Sequence, residues 1–328
     1  MSTELILVIA LALIFDFLNG MRDAANIVAT MISSRAFGPR TALGIAAIAE
    51  FLVPFLFAVV VAKTIGAEIV QSDVLTLNTI AASLLGGIIW NLVTWFLGIP
   101  GSSSHALIGG LIGAVFASAG RSAIKIAGLN KVLIALFTSP LIGFAVGFIL
   151  TRIIYFLVQG ASPHINEFFK RSQLLTAIGL ALSHGTNDAQ KTMGIISMSL
   201  VIGGILPSFQ VPTWVIAASA ASIACGTGLA GWRLIRTLGG KFYKIRPLHS
   251  FSTQMTSGIV ILGASFFGVP VSTSQVVSSA IIGVGASERF SKVRWSVAGD
   301  ILTAWLITIP ASALLSAGFY WLLVSLTG

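Results

Sequence analysis

A chain of 328 residues that is 56% hydrophobic and only 9% charged lies far from soluble domains, where charged residues make up about 25%. Its mean hydropathy of +0.98 points to a polytopic membrane protein. The net charge of +9 is no signal for nucleic acid, because the basic residues sit in loops between apolar spans without aromatic interleaving. The single cysteine, Cys225, lies in an apolar segment and excludes a disulfide framework or a Cys-based metal site.

In chain order, apolar segments cover 5–32, 41–62, 77–97, 106–119, 132–158, 174–205, 214–235, 257–267, 276–284 and 301–326. A bilayer core takes about 20 helical residues to cross, so several of these are full spans. The first has no basic stretch before it and no small-residue cleavage site after it, and is expected to be retained. Segments 5–32 and 174–205 are too long for one straight span, and each contains a polar cluster. At 19–26 it reads Asn-Gly-Met-Arg-Asp-Ala-Ala-Asn; at 183–191 it reads Ser-His-Gly-Thr-Asn-Asp-Ala-Gln-Lys. Gly20, Asp23 and Ala24 align with Gly185, Asp188 and Ala189 at an offset of 165 residues, about half the chain. Both segments are expected to be broken helices.

The short segments 106–119 and 276–284 each come after a polar turn, Gly-Ile-Pro-Gly-Ser-Ser-Ser-His at 98–105 and Gly-Val-Pro-Val-Ser-Thr-Ser-Gln at 268–275. Proline removes a backbone donor and serine can cap the start of a new helix, so a helix should open at Ser102, Ser103 and Ser104 and another at Ser272, Thr273 and Ser274. Free N–H groups, the positive dipole end and hydroxyls make each start an anion site. The expected fold is an all-α polytopic membrane protein of two inverted-topology repeats, 1–160 and 172–328, joined by a short loop at 161–171, with broken helices and Pro-Ser re-entrant or hairpin turns. With both termini outside the cell membrane, thirteen loop basic residues fall inside and four outside (Lys63, Arg121, Lys125, Lys131), as orientation by positive charge requires. The loop from Arg121 to Lys131 is its awkward member.

A carboxylate in hydrocarbon marks an ion or substrate path, and two at matching positions of two halves point to a secondary transporter. Asp23 and Asp188 are therefore the leading candidates. Carboxylate and amide oxygens suit a hard cation such as sodium, with Asp23, Asn26, Asn187, Asp188, Ser104 and Ser274 as candidate ligands. Glu50, buried in the second span, is a candidate coupling group, and Asp16 would share the face of Asp23. Arg22 either grips an oxyanion bidentately or braces Asp23 from behind. His105 and His184 are read as hydrogen-bonding groups before proton carriers, and no zinc ligand set is visible. A hydrolase built on Ser104 and His105 is disfavoured, since adjacent residues rarely pair as nucleophile and base and Gln275 replaces the base in the second copy.

The 19–26 cluster resembles the first signature of the inorganic phosphate transporter (PiT) family, and Gly-Thr-Asn-Asp-Ala-Gln-Lys-Thr-Met-Gly at 185–194 resembles the second copy of its bacterial low-affinity permeases. The stretch 231–239, Gly-Trp-Arg-Leu-Ile-Arg-Thr-Leu-Gly, and the second Pro-Ser turn are similar to further family patterns. The long central hydrophilic loop of many members is missing, and Arg22 and Gln275 stand where the family usually has Asn or His and His. The resemblance implies symport of inorganic phosphate with sodium or protons, no enzymatic activity, and no cofactor beyond bound sodium ions. It places Asp23, Asn26, Asn187, Asp188 and both serine turns around one central site and strengthens Glu50. Partners are then phosphate, the coupling ion and the lipid bilayer, with room for a homodimer. A sulfate or other oxyanion permease of the same fold is the first alternative and an anion channel the second. Phosphate keeps a proton to donate to a carboxylate whereas sulfate does not.

Overall fold

Within hydrocarbon a helix satisfies every backbone group internally, and most of the described residues are helical. The computed structural model describes residues 2–57, 59–71, 75–98, 101–230, 235 and 244–327. Ile99, Pro100 and nearly all of the 231–239 motif fall outside that description. The described helices are α1 (Thr3–Ser33), α2 (Pro39–Leu52), α3 (Val60–Lys63), α4 (Leu77–Leu97), α5 (Ser103–Ala119), α6 (Ile126–Leu157), α7 (Ile165–Ile202), α8 (Thr213–Gly228), α9 (Pro247–Phe266), α10 (Thr273–Glu288) and α11 (Trp295–Thr327). Four described helices, α1, α4, α6 and α11, are long and apolar enough to cross a bilayer.

α1 and α7 do not break at their polar clusters, contrary to the expectation from their length; each is one continuous helix of 31 and 38 residues. At 1.5 Å per residue they are about 46 and 57 Å long, so tilt and extension beyond the core absorb the excess. The cluster glycines serve packing instead. A Cβ on Gly20 would lie 2.1 Å from the Ile223 carbonyl oxygen of α8, and one on Gly185 would lie 2.7 Å from Val53 Cγ1. Small residues let helix backbones approach while each helix keeps its own hydrogen bonds. The axis turns instead in the second segment, by 73° between Pro39–Phe55 and Val60–Glu68.

Helix directions are set by which residues meet. Leu13, Phe17 and Gly20 of α1 face Ser222, Gly226 and Thr227 of α8 in ascending order. Gly185, Gln190 and Gly194 of α7 likewise face Glu50, Val61 and Ala62 in the segment after α1. α8 therefore runs alongside α1, and the α2–α3 segment alongside α7, each pair in the same sense.

α4 to α6 and α9 to α11 share landmarks at an offset of 170 residues. Gly98 (φ 70°) and Gly268 (φ 65°) come after α4 and α9 in the left-handed region, which only glycine enters freely. Ser102 and Ser272 then cap α5 and α10, accepting from His105 N at 3.1 Å and Gln275 N at 3.4 Å. Pro140 in α6 matches Pro310 in α11. The last helix of each half packs on the short helix of the other: Gly113 of α5 abuts Ala313 of α11, and Gly283 of α10 abuts Phe144 of α6.

α9 starts ten residues ahead of the apolar run at 257–267. Its first turns carry Ser250, Ser252, Thr253 and Gln254, all buried, and hydrogen-bond to α7 through Ser250–Gln173 at 2.8 Å and Thr176–Gln254 at 2.6 Å. The loop from Arg121 to Lys131 is tied down: Val70 bridges Ile124, Lys125 Nζ donates to Ala67 O at 2.9 Å and Lys131 pairs with Glu68 at 3.0 Å. Part of its positive charge is thus neutralised locally.

Two apolar layers sandwich the polar centre. One joins Leu5 to Phe15 of α1 with Ile195 to Leu200 of α7 and the faces of α4 and α5. The other joins Ala25 to Met31 of α1 with Ala177 to Ala181 of α7 and the faces of α9 and α10. The two clusters lie where these layers meet.

Candidate functional site

Continuity of α1 and α7 arranges each cluster on one helix face. Positions i, i+3, i+4 and i+7 share a face, and these are Asn19, Arg22, Asp23 and Asn26 on α1 and His184, Asn187, Asp188 and Lys191 on α7. Each of the first four matches one of the second at the 165-residue offset. All eight are buried, none more than 3% exposed.

The two Pro-Ser turns bring the starts of α5 and α10 to these faces. Ser103 Oγ donates to Asn19 Oδ1 at 2.5 Å and reaches Asp23 Oδ2 at 3.1 Å. Its counterpart Thr273 donates to Asp188 Oδ2 at 2.8 Å. The next hydroxyl on each helix crosses to the other half: Ser274 Oγ donates to Asp23 Oδ1 at 2.8 Å and accepts from Asn26 Nδ2 at 3.0 Å, while Ser104 Oγ accepts from Lys191 Nζ at 2.6 Å. Ser104 also donates to the Val271 carbonyl at 3.0 Å, and Gln275 Nε2 lies 3.3 Å from His105 Nδ1. Two helix N-termini therefore meet at one buried point beside two carboxylates.

His184 ties the site together. Its Nδ1 lies 2.6 Å from Glu50 Oε1 and its Nε2 lies 3.0 Å from Asp188 Oδ2 and 3.9 Å from Asp23 Oδ2. Glu50 thus reaches the centre through the imidazole. Asp23, His184 and Asp188 each present a ligand atom within 4.8 Å of one another. Asp23 adds an oxygen-rich surround from Asn19, Ser103 and Ser274, which fits a hard cation. Asp16 is fully buried on the same helix.

Four expected site residues are turned to other work. Arg22 donates to Asn91 of α4, and a Cβ on Gly101 would sit 3.1 Å from its Nη2, so the guanidinium backs the first Pro-Ser turn. Asn187, its counterpart, does the same for the second: Nδ2 donates to Ser265 Oγ at 3.0 Å and Val269 O at 3.3 Å, and Oδ1 accepts from Val271 N at 3.2 Å. Ser102 and Ser272 direct their oxygens to the caps described above. Asp23, Asn26, Ser103, Ser104, Asp188, Thr273 and Ser274 are the candidates that converge.

His184 and Lys191 carry more of the site than their residue types alone suggest. The signal lies in the spacing: His184 precedes Asp188 by four residues and Lys191 comes three after it, so a continuous helix puts all three on one face. A helix broken at Gly185 would have held His184 apart from the other two.

A model of the phosphate transporter family matches residues 19–316. A protein of Rhizobium meliloti (strain 1021) named "probable low-affinity inorganic phosphate transporter" is 46% identical, over 95% of this chain and 94% of its own. One of the same name from Bacillus subtilis (strain 168) is 44% identical, over 97% and 96%. A solved structure titled "The sodium-dependent phosphate transporter" shares the fold with a TM-score of 0.91 and 23% identity, covering 99% of this chain and 100% of that one. The relatives' names agree with a non-enzymatic membrane protein. With both signature clusters, both serine turns and the matched region spanning nearly its whole length, the chain belongs to the phosphate transporter family.

Proposed function

We propose that this protein is a multi-pass secondary transporter that moves inorganic phosphate across the membrane together with sodium ions or protons. The observation that carries it is the meeting of the α5 and α10 N-termini, with Ser103, Ser104, Thr273 and Ser274, beside Asp23 and Asp188. Helix starts favour an anion and carboxylates favour a cation, so the site suits both at once and neither alone. The relatives' names and the family support phosphate as the anion. A phosphate proton can be donated to a carboxylate, which fully ionised sulfate does not allow.

The two halves, 1–160 and 172–328, form an inverted repeat in this reading, supported by the crossed pairing of α1 with α8 and α7 with the α2–α3 segment. Transport proceeds by alternate loosening of the two apolar layers around a fixed site. Both termini lie outside. The test is phosphate binding to the purified protein with sulfate as competitor. Sulfate should compete poorly, and Ser104→Ala and Ser274→Ala should each weaken phosphate binding by about 1.5 to 3 kcal/mol, one charge-assisted hydrogen bond. Equal competition by sulfate, or unchanged affinity in both variants, would refute the assignment.

A further inference from the structure

We propose that the Lys191 ammonium is a tethered cation that fills one of two equivalent cation positions, leaving the Asp23 side as the position that takes an exchangeable ion. The inference rests on the cation-coupled reading above and specifies it.

Lys191 Nζ is held by Asp188, by Ser104 Oγ at 2.6 Å and by the Val271 carbonyl at 2.9 Å. A carboxylate, a hydroxyl and a backbone carbonyl, brought from three separate elements, are the donor set that hard monovalent cations take in transporter cores. A lysine serving only to neutralise Asp188 needs one of those contacts. The other two attach it to both Pro-Ser turns, one from each half.

The matching position on α1 is Asn26, a neutral amide. Asp23 there accepts from the Ser274 hydroxyl and has Ser103 Oγ at 3.1 Å, with His184 Nε2 at 3.9 Å. The nearby guanidinium of Arg22 is directed to Asn91. The same carboxylate and the same hydroxyl thus recur on both sides, with a permanent cation bonded on one side only. Four buried carboxyl groups, Asp16, Asp23, Glu50 and Asp188, share this interior with the basic side chains of Arg22, His184 and Lys191, and His184 lies against Glu50, Asp188 and Asp23. A mobile cation fits beside Asp23, where hydroxyls and no ammonium meet the carboxyl, and a second beside Asp188 is excluded by the Lys191 ammonium.

The test exchanges the two positions. Lys191→Asn gives α7 the α1 arrangement, Lys191→Met removes the ammonium without supplying an oxygen, and Asn26→Lys gives α1 a tethered cation. Phosphate binding and thermal stability are measured in sodium chloride against choline chloride at constant ionic strength. Lys191→Asn should gain sodium dependence, with phosphate affinity about tenfold higher in sodium than in choline and a Hill slope about one greater than wild type. Its melting temperature should rise with sodium, and that of Lys191→Met should not. Asn26→Lys should lose the wild-type cation response. The proposal is overturned if Lys191→Asn and Lys191→Met respond alike to sodium, or if Asn26→Lys keeps the wild-type response. A Lys191→Asn protein that is monodisperse in sodium but not in choline supports it, and one unfolded in both counts against it. Were wild type to bind no phosphate in any salt, the function would be wrong while the sodium-dependent melting of Lys191→Asn would still decide the role of Lys191.

Discussion

His184 joins Glu50 to Asp188: its Nδ1 sits 2.6 Å from Glu50 Oε1 and its Nε2 3.0 Å from Asp188 Oδ2, with all three side chains sealed from solvent. Glu50 meets the imidazole whose other nitrogen faces the two aspartates. Glu50→Gln keeps an acceptor for Nδ1 but loses the charge, so transport should slow by roughly tenfold, about 1.4 kcal/mol in the barrier. Stability should hardly change. Glu50→Ala leaves His184 with a buried unpaired donor and should lower the melting temperature as well. Both are read by uptake assays beside thermal unfolding in detergent, and a Glu50→Ala protein as stable as Glu50→Gln would contradict the link.

The two aspartates are equivalent in sequence and unequal in surroundings. Asp188 bears an ion pair with Lys191, both buried, whereas Asp23 is met by hydroxyls. Removing one partner of a buried pair costs about 3 to 5 kcal/mol. Asp188→Asn should therefore lose stability and uptake together, while Asp23→Asn loses cation-coupled uptake and keeps a near-native melting temperature. Equal destabilisation of the two variants would argue against the asymmetry.

Arg22 backs the first Pro-Ser turn through Asn91 and Gly101, so Arg22→Asn should slow transport and leave the cation dependence of phosphate uptake unchanged. A double-mutant cycle with Asn91→Ala should show coupling in stability of about 0.5 to 3 kcal/mol. A steeper sodium or proton dependence in Arg22→Asn would instead put the guanidinium in the binding site.

Away from the membrane core, Glu288 ends α10 in a basic cleft of about 470 Å³ lined by Lys244, Arg246, Lys292 and Arg294. Partial burial would raise its carboxyl, but hydrogen bonds from Arg246 and Lys292 prevail and hold it down to about 2, from an ordinary 4.5. A carboxyl depressed on folding contributes stability above its unfolded value and loses it as pH falls through the folded one. The contribution should fade between about pH 4.5 and about pH 2. Solvent screening of such exposed partners keeps it below about 1 kcal/mol. Melting temperature against pH should fall less steeply in that window for Glu288→Gln than for wild type; identical slopes would remove Glu288 from the account.

Much of the fold and the site is legible in the chain because the signals are matters of residue type and spacing. The Gly-x-x-Asp clusters and the Pro-Ser motifs each occur twice, and α5 and α10 open at the serine caps that those motifs mark. The course of α1 and α7 is not legible. Gly20 and Gly185 read as breaks, yet their role is close approach to α8 and to the α2–α3 segment, a fact about partners distant in sequence. The start of α9 is hidden for a related reason: Ser250, Ser252, Thr253 and Gln254 look like loop residues until the fold buries them and α7 supplies hydrogen bonds to Ser250 and Gln254. The roles of Arg22 and Asn187 depend on side-chain direction, which spacing alone does not give.

The most direct test of cation-coupled transport is labelled phosphate uptake into proteoliposomes, with sodium and proton gradients imposed separately, for wild type and Asp23→Asn. An inward gradient of one of these cations should drive phosphate accumulation in wild type, and Asp23→Asn should abolish it. Phosphate entry that ignores both gradients, or accumulation that survives in Asp23→Asn, would contradict a cation-coupled transporter centred on Asp23.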